Sequence, residues 1–221
     1  MLTDEELESA LPEFVGFKKS AKDLLKKYAY KDVIPKGRSL LTADTNVTLV
    51  IVKRGSIGAF LQNDNGQEVY LYSLSKGNWF TIQNNINYEG ISRSEIICLD
   101  EKYYQSLISQ NPNIELLIYK SENEHYNRAI TRLDSIIFDP LDKRIATVLL
   151  WLDRKSITQT NTHSIKTTHE KIARFVGSSR EVVSRRLKVY EEDKIIELKR
   201  SNITILNAKK LKEIVIHGRH E

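Results

Sequence analysis

Residues 168–192 read THEKIARFVGSSREVVSRRLKVYEE. Thr167 or Thr168 is placed to cap a helix, and Thr167-x-x-Glu170 has the spacing of a capping box. Ile172, Ala173 and Val176 recur at helical spacing and make its inner face. Gly177-Ser178 breaks it, since glycine adopts the left-handed backbone that ends helices sharply. Ser179 then caps a second helix with Val182, Val183, Leu187 and Tyr190 inward. Helix, short glycine turn, helix is the helix-turn-helix pattern. On the outward side Arg180, Glu181, Ser184 and Arg185 share the N-terminal face of the second helix. Arginine can read guanine O6 and N7 in bidentate fashion, and glutamate can accept from cytosine N4. Arg186 and Lys188 fall on the flanks, where phosphate contacts are expected.

The neighbours of this stretch extend the pattern. His163–Thr167 reads as a short strand before it. After it, KIIELK at 194–199, the turn Arg200-Ser201-Asn202 and ITILN at 203–207 form a hairpin "wing", and Ala208–Val215 a closing helix. Thr168, His169, Arg174, Ser179 and Arg200 complete the residues expected against the DNA backbone. Upstream, Asp139-Pro140 starts a core helix with Ile145, Val148, Leu149 and Leu152 on one face. The polar run Asp153–His163 reads as a loop. Over 113–137, Leu116, Tyr119, Asn123, Tyr126, Ile130, Leu133 and Ile137 are spaced alternately by three and four. That is a narrow a/d seam over three heptads, suited to a dimer interface, with the polar Asn123 fixing register.

The front of the chain is different. Six glycines fall between residues 37 and 90, separating short β-rich runs at 49–55, 56–62 and 68–74. Asn63-Asp64-Asn65-Gly66 supplies the positive-φ positions of a hairpin turn. EIICLD at 95–100 closes the strand series, residues 20–30 read as a short lead-in helix, and Lys102–Ser109 as a helical turn or two. The expected class is α+β, with an N-terminal antiparallel β-barrel of jelly-roll type over 1–112, a dimerisation helix over 113–137 and a winged helix-turn-helix over 138–221.

Composition agrees. The chain has 221 residues with 29% charged and 40% apolar, a globular balance. Residues 139–221 hold 18 Lys+Arg against 11 Asp+Glu, a net of +7, while residues 1–138 carry a net of −2. A basic rear segment favours a polyanion, and nucleic acid ahead of an anionic membrane. No apolar run approaches the roughly 20 residues of a membrane span. The acidic N-terminus lacks the basic start of a signal peptide, so a cytoplasmic location is expected. The single cysteine, Cys98, excludes an internal disulfide and a multi-cysteine metal site.

Residues 168–192 resemble the DNA-binding motif of the Crp/Fnr family of bacterial transcription regulators. Ile34-Pro35-Lys36-Gly37 and the segment that follows it, to Phe80, are similar to that family's barrel entry. The resemblance spans nearly the whole chain. It implies a homodimer on a palindromic DNA operator, a recognition helix in the major groove, and RNA polymerase as a further partner. It implies that Arg180, Glu181 and Arg185 read the half-site bases. Glu181-x-x-Ser184-Arg185 resembles the branch that reads TTGA-like half-sites, with TGTGA-like sites left open. The chain departs from the family's cyclic-nucleotide cassette. It reads Gly77-Asn78-Trp79-Phe80-Thr81-Ile82 without the cassette glutamate, and Arg93-Ser94 is at most a remnant of the phosphate-binding pair. These departures argue against a cyclic nucleotide.

Other candidates carry less. His125 reads as a polar surface residue of the dimer helix, not a haem ligand. Cys98 reads as a small buried hydrophobe, and His217 with His220 as a terminal tail. No P-loop, nucleophile elbow, paired carboxylates or zinc motif anchors catalysis, and no cofactor, metal or membrane partner is expected. A metal-dependent barrel enzyme is a poor fit, since residues 37–100 contain no histidine. The alternative function is a sensor whose barrel binds an unidentified effector that gates DNA binding. Tyr70, Tyr72, Trp79 and Phe80 are its candidate liners, if they are not ordinary core.

Overall fold

A computed structural model describes residues 1–40, 46–160 and 162–218. The chain divides into two compact units, Met1–Gln67 with Leu71–Ile130, and Glu68–Tyr70 with Thr131–Glu221.

The first unit opens with a helix absent from the sequence reading, α1 (Asp4–Ala10). Thr3 and Glu6 form a reciprocal capping box there, Thr3 Oγ1 accepting from the Glu6 amide at 3.2 Å and Glu6 Oε2 from the Thr3 amide at 3.0 Å. A single 3-10 turn (Pro12–Gly16) leads to α2 (Lys19–Tyr28). The strands are β1 (Tyr30–Ile34), β2 (Val47–Arg54), β3 (Ser56–Gln62), β4 (Glu68–Ser75), β5 (Trp79–Thr81), β6 (Ile86–Gly90) and β7 (Ser94–Asp100). Helices α3 (Glu101–Gln110) and α4 (Pro112–Phe138) follow.

Two antiparallel sheets result, ordered β1-β7-β2-β5 and β4-β3-β6. β2 shows why its central run is uninterruptedly apolar. Its period-two alternation sends Val50 and Val52 into a core with Ile57, Ala59 and Tyr88 of the other sheet. Leu49 and Ile51 point the opposite way, into a core made with α1, α2 and α3. β7 is split likewise, Ile96 and Cys98 to one side and Ile97 and Leu99 to the other. Both faces are covered, so both sets of positions must be apolar. The β3–β4 hairpin turns on Gly66 at φ +74°, with the Asn63 side chain accepting from the Asn65 and Gln67 amides. Segment 41–45 of the barrel entry lies outside the described residues, as does His220.

The second unit holds α5 (Leu141–Thr160), β8 (Ser164–Lys166), α6 (His169–Val176), α7 (Arg180–Glu192), β9 (Ile196–Lys199), β10 (Asn202–Ile205) and α8 (Ala208–His217). Its sheet runs β8-β10-β9, and its core joins Ile145 and Leu149 of α5 to Ile172, Val176, Val183, Leu187 and Tyr190. One expectation is corrected. Asp153–Thr160 is not a loop but the last turns of α5. No glycine or proline stops the helix there. Asp153 is buried and holds His163 Nδ1 at 3.0 Å, and Ser156 Oγ donates to the Ser164 carbonyl at 2.5 Å. Tertiary bonds to β8 thus stabilise a stretch of weak helix formers.

Candidate nucleic-acid interface

The helix-turn-helix is built as its residues require. Thr168, not the buried Thr167, caps α6, its Oγ1 accepting from the Lys171 amide at 3.2 Å. The capping box with Glu170 therefore does not form, because Lys171 occupies the third helical position. Gly177 ends α6 at φ +63°, ψ +53°, a conformation that β-carbon sterics disfavour in other residues. Ser179 Oγ accepts from the Val182 amide at 3.4 Å and caps α7. Two arginines hold the end of α6. Arg132 donates to the Phe175 carbonyl, and Arg144 to those of Val176 and Gly177. Cations there meet unpaired carbonyls and the negative end of the helix dipole.

α7 buries Val183, Leu187 and Tyr190 and leaves Arg180, Glu181, Arg185 and Lys188 exposed on its other side. Ser184 is half-buried, and its Oγ lies 2.8 Å from Nδ1 of His169 on α6. Burial and the nearby Arg180 guanidinium lower the His169 pKa below the ordinary 6.5. Beside this face a groove of about 370 Å³ runs between the start of α6 and the wing, lined by Thr167, Thr168, His169, Glu170, Arg180, Lys199, Ser201, Asn202 and Ile203. Arg200 is exposed at the wing turn, where Ser201 takes φ +54°. The structure thus places Arg180, Glu181, Ser184, Arg185, Thr168, His169, Ser179, Lys188 and Arg200 on accessible parts of one unit.

Two expected phosphate contacts are placed otherwise. Arg186 gives its guanidinium to Asp142 of α5, Nε lying 3.0 Å from Oδ1 and Nη2 also bonded to the carboxylate. Asp142 is buried, and its own carbonyl accepts from the Tyr190 hydroxyl at 3.0 Å. Arg174 pairs with Glu68 at 2.6 Å, both side chains largely covered. A buried carboxylate needs a cation, and each of these is met by an arginine that looks solvent-facing in sequence. Pairs 44 and 106 residues apart leave no local signal in sequence.

In the first unit the departures from the nucleotide cassette have structural counterparts. Trp79 and Phe80 are core residues. The Ser121 hydroxyl donates to the Trp79 carbonyl at 2.8 Å, and Glu122 accepts from the Thr81 hydroxyl at 2.5 Å. A carboxylate there opposes an anionic phosphate. Ser94 is buried, with its hydroxyl in the Ser56–Ser92 turn, while Arg93 is exposed. Gly55 permits that turn, since a β-carbon at its φ of +96° would sit 2.5 Å from the Arg93 carbonyl. Tyr70 is no barrel liner. It packs on Phe175 and Trp151 in the second unit, with ring centroids 4.9 and 6.5 Å away.

His125 is also placed otherwise than its sequence suggests. It is 3% exposed, stacked on Tyr72 at 5.2 Å and 8°, and among the described residues neither ring nitrogen has a hydrogen-bond partner. Burial, with a smaller contribution from Arg128, pulls its pKa down to about 4. Ile114, Ile118 and His125 form the buried side of α4. Leu116, Tyr119, Asn123, Tyr126, Ile130, Leu133 and Ile137 are all exposed on α4, Tyr119, Tyr126 and Ile137 by more than 60%.

Comparison with known proteins agrees with this geometry. Residues 143–214 match the Crp-like helix-turn-helix domain. The chain is 28% identical to the cAMP-activated global transcriptional regulator CRP of Pasteurella multocida, over 72% of this chain and 80% of that one. It is 24% identical to flp of Lacticaseibacillus casei, described as a probable transcriptional regulator, over 93% and 96% of the two chains. A solved crp/fnr family transcriptional regulator from Eubacterium rectale superposes with a TM-score of 0.83 at 23% identity, covering 94% of this chain and 99% of that one. With its β-sheet unit, long helix and winged helix-turn-helix, the chain carries a Crp-like helix-turn-helix domain and shares the fold of Crp/Fnr transcription regulators.

Proposed function

We propose that the protein works as a homodimer on a palindromic operator, with each α7 in a major groove and half-sites about one helical turn apart. Arg180, Glu181, Ser184 and Arg185 face the bases. Thr168, His169, Ser179, Lys188 and Arg200 hold the backbone. The observation that carries this reading is the open N-terminal face of α7, where Arg180, Glu181 and Arg185 are exposed beside a polar groove while the opposite face is core. The exposed apolar seam of α4 supports pairing with a second copy, since such a contiguous stripe marks an interface. The operator half-site is TTGA-like or TGTGA-like, RNA polymerase is a candidate further partner, and the cytoplasm is the place of action. No catalytic role is assigned.

Selection of bound duplexes from a random pool tests symmetry and base preference together. Arg185→Ala should then weaken the selected site by about 1–3 kcal/mol and relax one base pair, with non-specific binding little changed. An equal loss on every sequence makes Arg185 a phosphate contact instead. Leu133→Glu should give a monomer by sedimentation. A variant that stays dimeric removes the seam from the interface.

A second reading, that the first unit binds an effector controlling DNA binding, is favoured by His125. A buried imidazole without a hydrogen-bond partner among the described residues is a polar group that a bound molecule would satisfy. A panel of metabolites should then contain one that raises the melting temperature of the wild type. No shift with any of them, together with full operator binding by the protein alone, favours control by abundance.

A further inference from the structure

We propose that His169 sets the base specificity of Ser184 by deciding whether the Ser184 hydroxyl presents a lone pair or a proton to the DNA. The inference rests on the reading of Ser184 as a base-facing residue. It starts from one contact, Ser184 Oγ at 2.8 Å from His169 Nδ1, which ties the first helix of the motif to the recognition helix.

A hydroxyl has one proton to donate and two lone pairs. A neutral imidazole protonated at Nε2, the tautomer favoured in water, offers Nδ1 as an acceptor. The Ser184 proton then points at His169, and only oxygen lone pairs remain for the groove. Such an oxygen accepts from cytosine N4 or adenine N6 and is repelled by guanine O6 and N7 or thymine O4. Protonation of His169 from solvent turns Nδ1 into a donor. Ser184 Oγ then accepts from the ring, its own proton swings free, and the preferred base edges invert. Ser184 keeps its proton throughout.

Burial and the Arg180 guanidinium favour the neutral form of the ring. Arg180 of α7 faces it, Lys199 of the wing lines the same groove, and Glu170 is the one acidic side chain of that lining. The ring is therefore neutral near pH 7 and titrates below the ordinary 6.5. Ser184 therefore reads as an acceptor under neutral conditions and as a donor in acid.

The test is a ratio of affinities. Duplexes are compared that carry C·G or G·C at the step facing Ser184 in the selected operator, at about pH 8 and about pH 5.5 and equal salt. Added charge on His169 strengthens binding to every duplex alike and cancels in the ratio. The wild-type preference for cytosine over guanine is expected to fall by about tenfold in acid. His169→Asn retains an amide at the δ position that turns to suit either partner, and its ratio should stay flat. A purely structural role for His169 would change melting temperature and overall affinity, leaving the wild-type ratio independent of pH. A flat wild-type ratio, or one that moves equally in His169→Asn, overturns the proposal, and the first of these needs no variant to fold. Ser184→Ala separates the two layers. If it keeps the wild-type base preference at every step, the reading of Ser184 as a base contact fails. If it loses the preference while the wild-type ratio ignores pH, only the His169 proposal fails.

Discussion

Acidification from pH 7 to pH 5 should cost about 2 kcal/mol of stability in the first unit through His125 alone. The ring titrates near 6.5 in an unfolded chain and near 4 when folded, because burial penalises its charged form. A base with a depressed folded value stabilises the fold above its unfolded pKa, and that stability drains away as pH falls from about 6.5 toward about 4. At pH 5 the unfolded ring is almost wholly protonated and the folded ring scarcely so. Integrating that difference in bound protons gives the 2 kcal/mol. The assay is urea unfolding of wild type and His125→Phe at both pH values, in a Trp151→Phe background so that the buried Trp79 reports on this unit. Phenylalanine keeps the stack on Tyr72 and cannot titrate. The wild type should lose about 2 kcal/mol more than His125→Phe, with the urea slope unchanged. Equal losses in the two proteins would refute the burial of a neutral imidazole at this position.

Asp142→Ala should destabilise the second unit by about 2–3 kcal/mol, read as a lower melting temperature, since it strands the half-buried Arg186. The double variant Asp142→Leu/Arg186→Met should recover most of that loss, and failure to recover would argue against the pair as the cause. Gly177→Ala should cost about 1–2 kcal/mol, because an L-residue is strained at φ +63° and its β-carbon would press Ile136 at 3.2 Å; a neutral result by urea midpoint would contradict the left-handed cap. The thiol of Cys98, pushed up to about 12 by burial and the nearby Asp32 and Asp100, should resist thiol reagents in the native protein at pH 8 and react once urea unfolds it.

The legible parts of this chain were those where neighbours in sequence are neighbours in space. Periodicity gave the inner face of α6 and α7, because 3.6 residues per turn fixes which side chains share a side. Gly177 and Ser179 marked the turn, since few residues can end one helix and cap the next within three positions. The outward triad of Arg180, Glu181 and Arg185 followed from the same geometry. So did the α4 seam, as an expectation about a partner.

The fate of each polar side chain was decided only by tertiary structure. Lys188 and Arg186 are two residues apart and equally basic, yet one is exposed and the other neutralises Asp142. Arg174, Arg132 and Arg144 likewise serve Glu68 and the carbonyls that end α6, not a phosphate. His125 follows the same rule, since a polar residue on a long helix is buried or exposed according to what packs on that face. α5 continued through Asp153–Thr160 because bonds to His163 and Ser164 outweighed weak local propensity. Hydrophobic burial follows a local pattern that a sequence displays directly. Pairing of charges and hydrogen bonds depends on which distant atoms meet, and only the folded chain determines that.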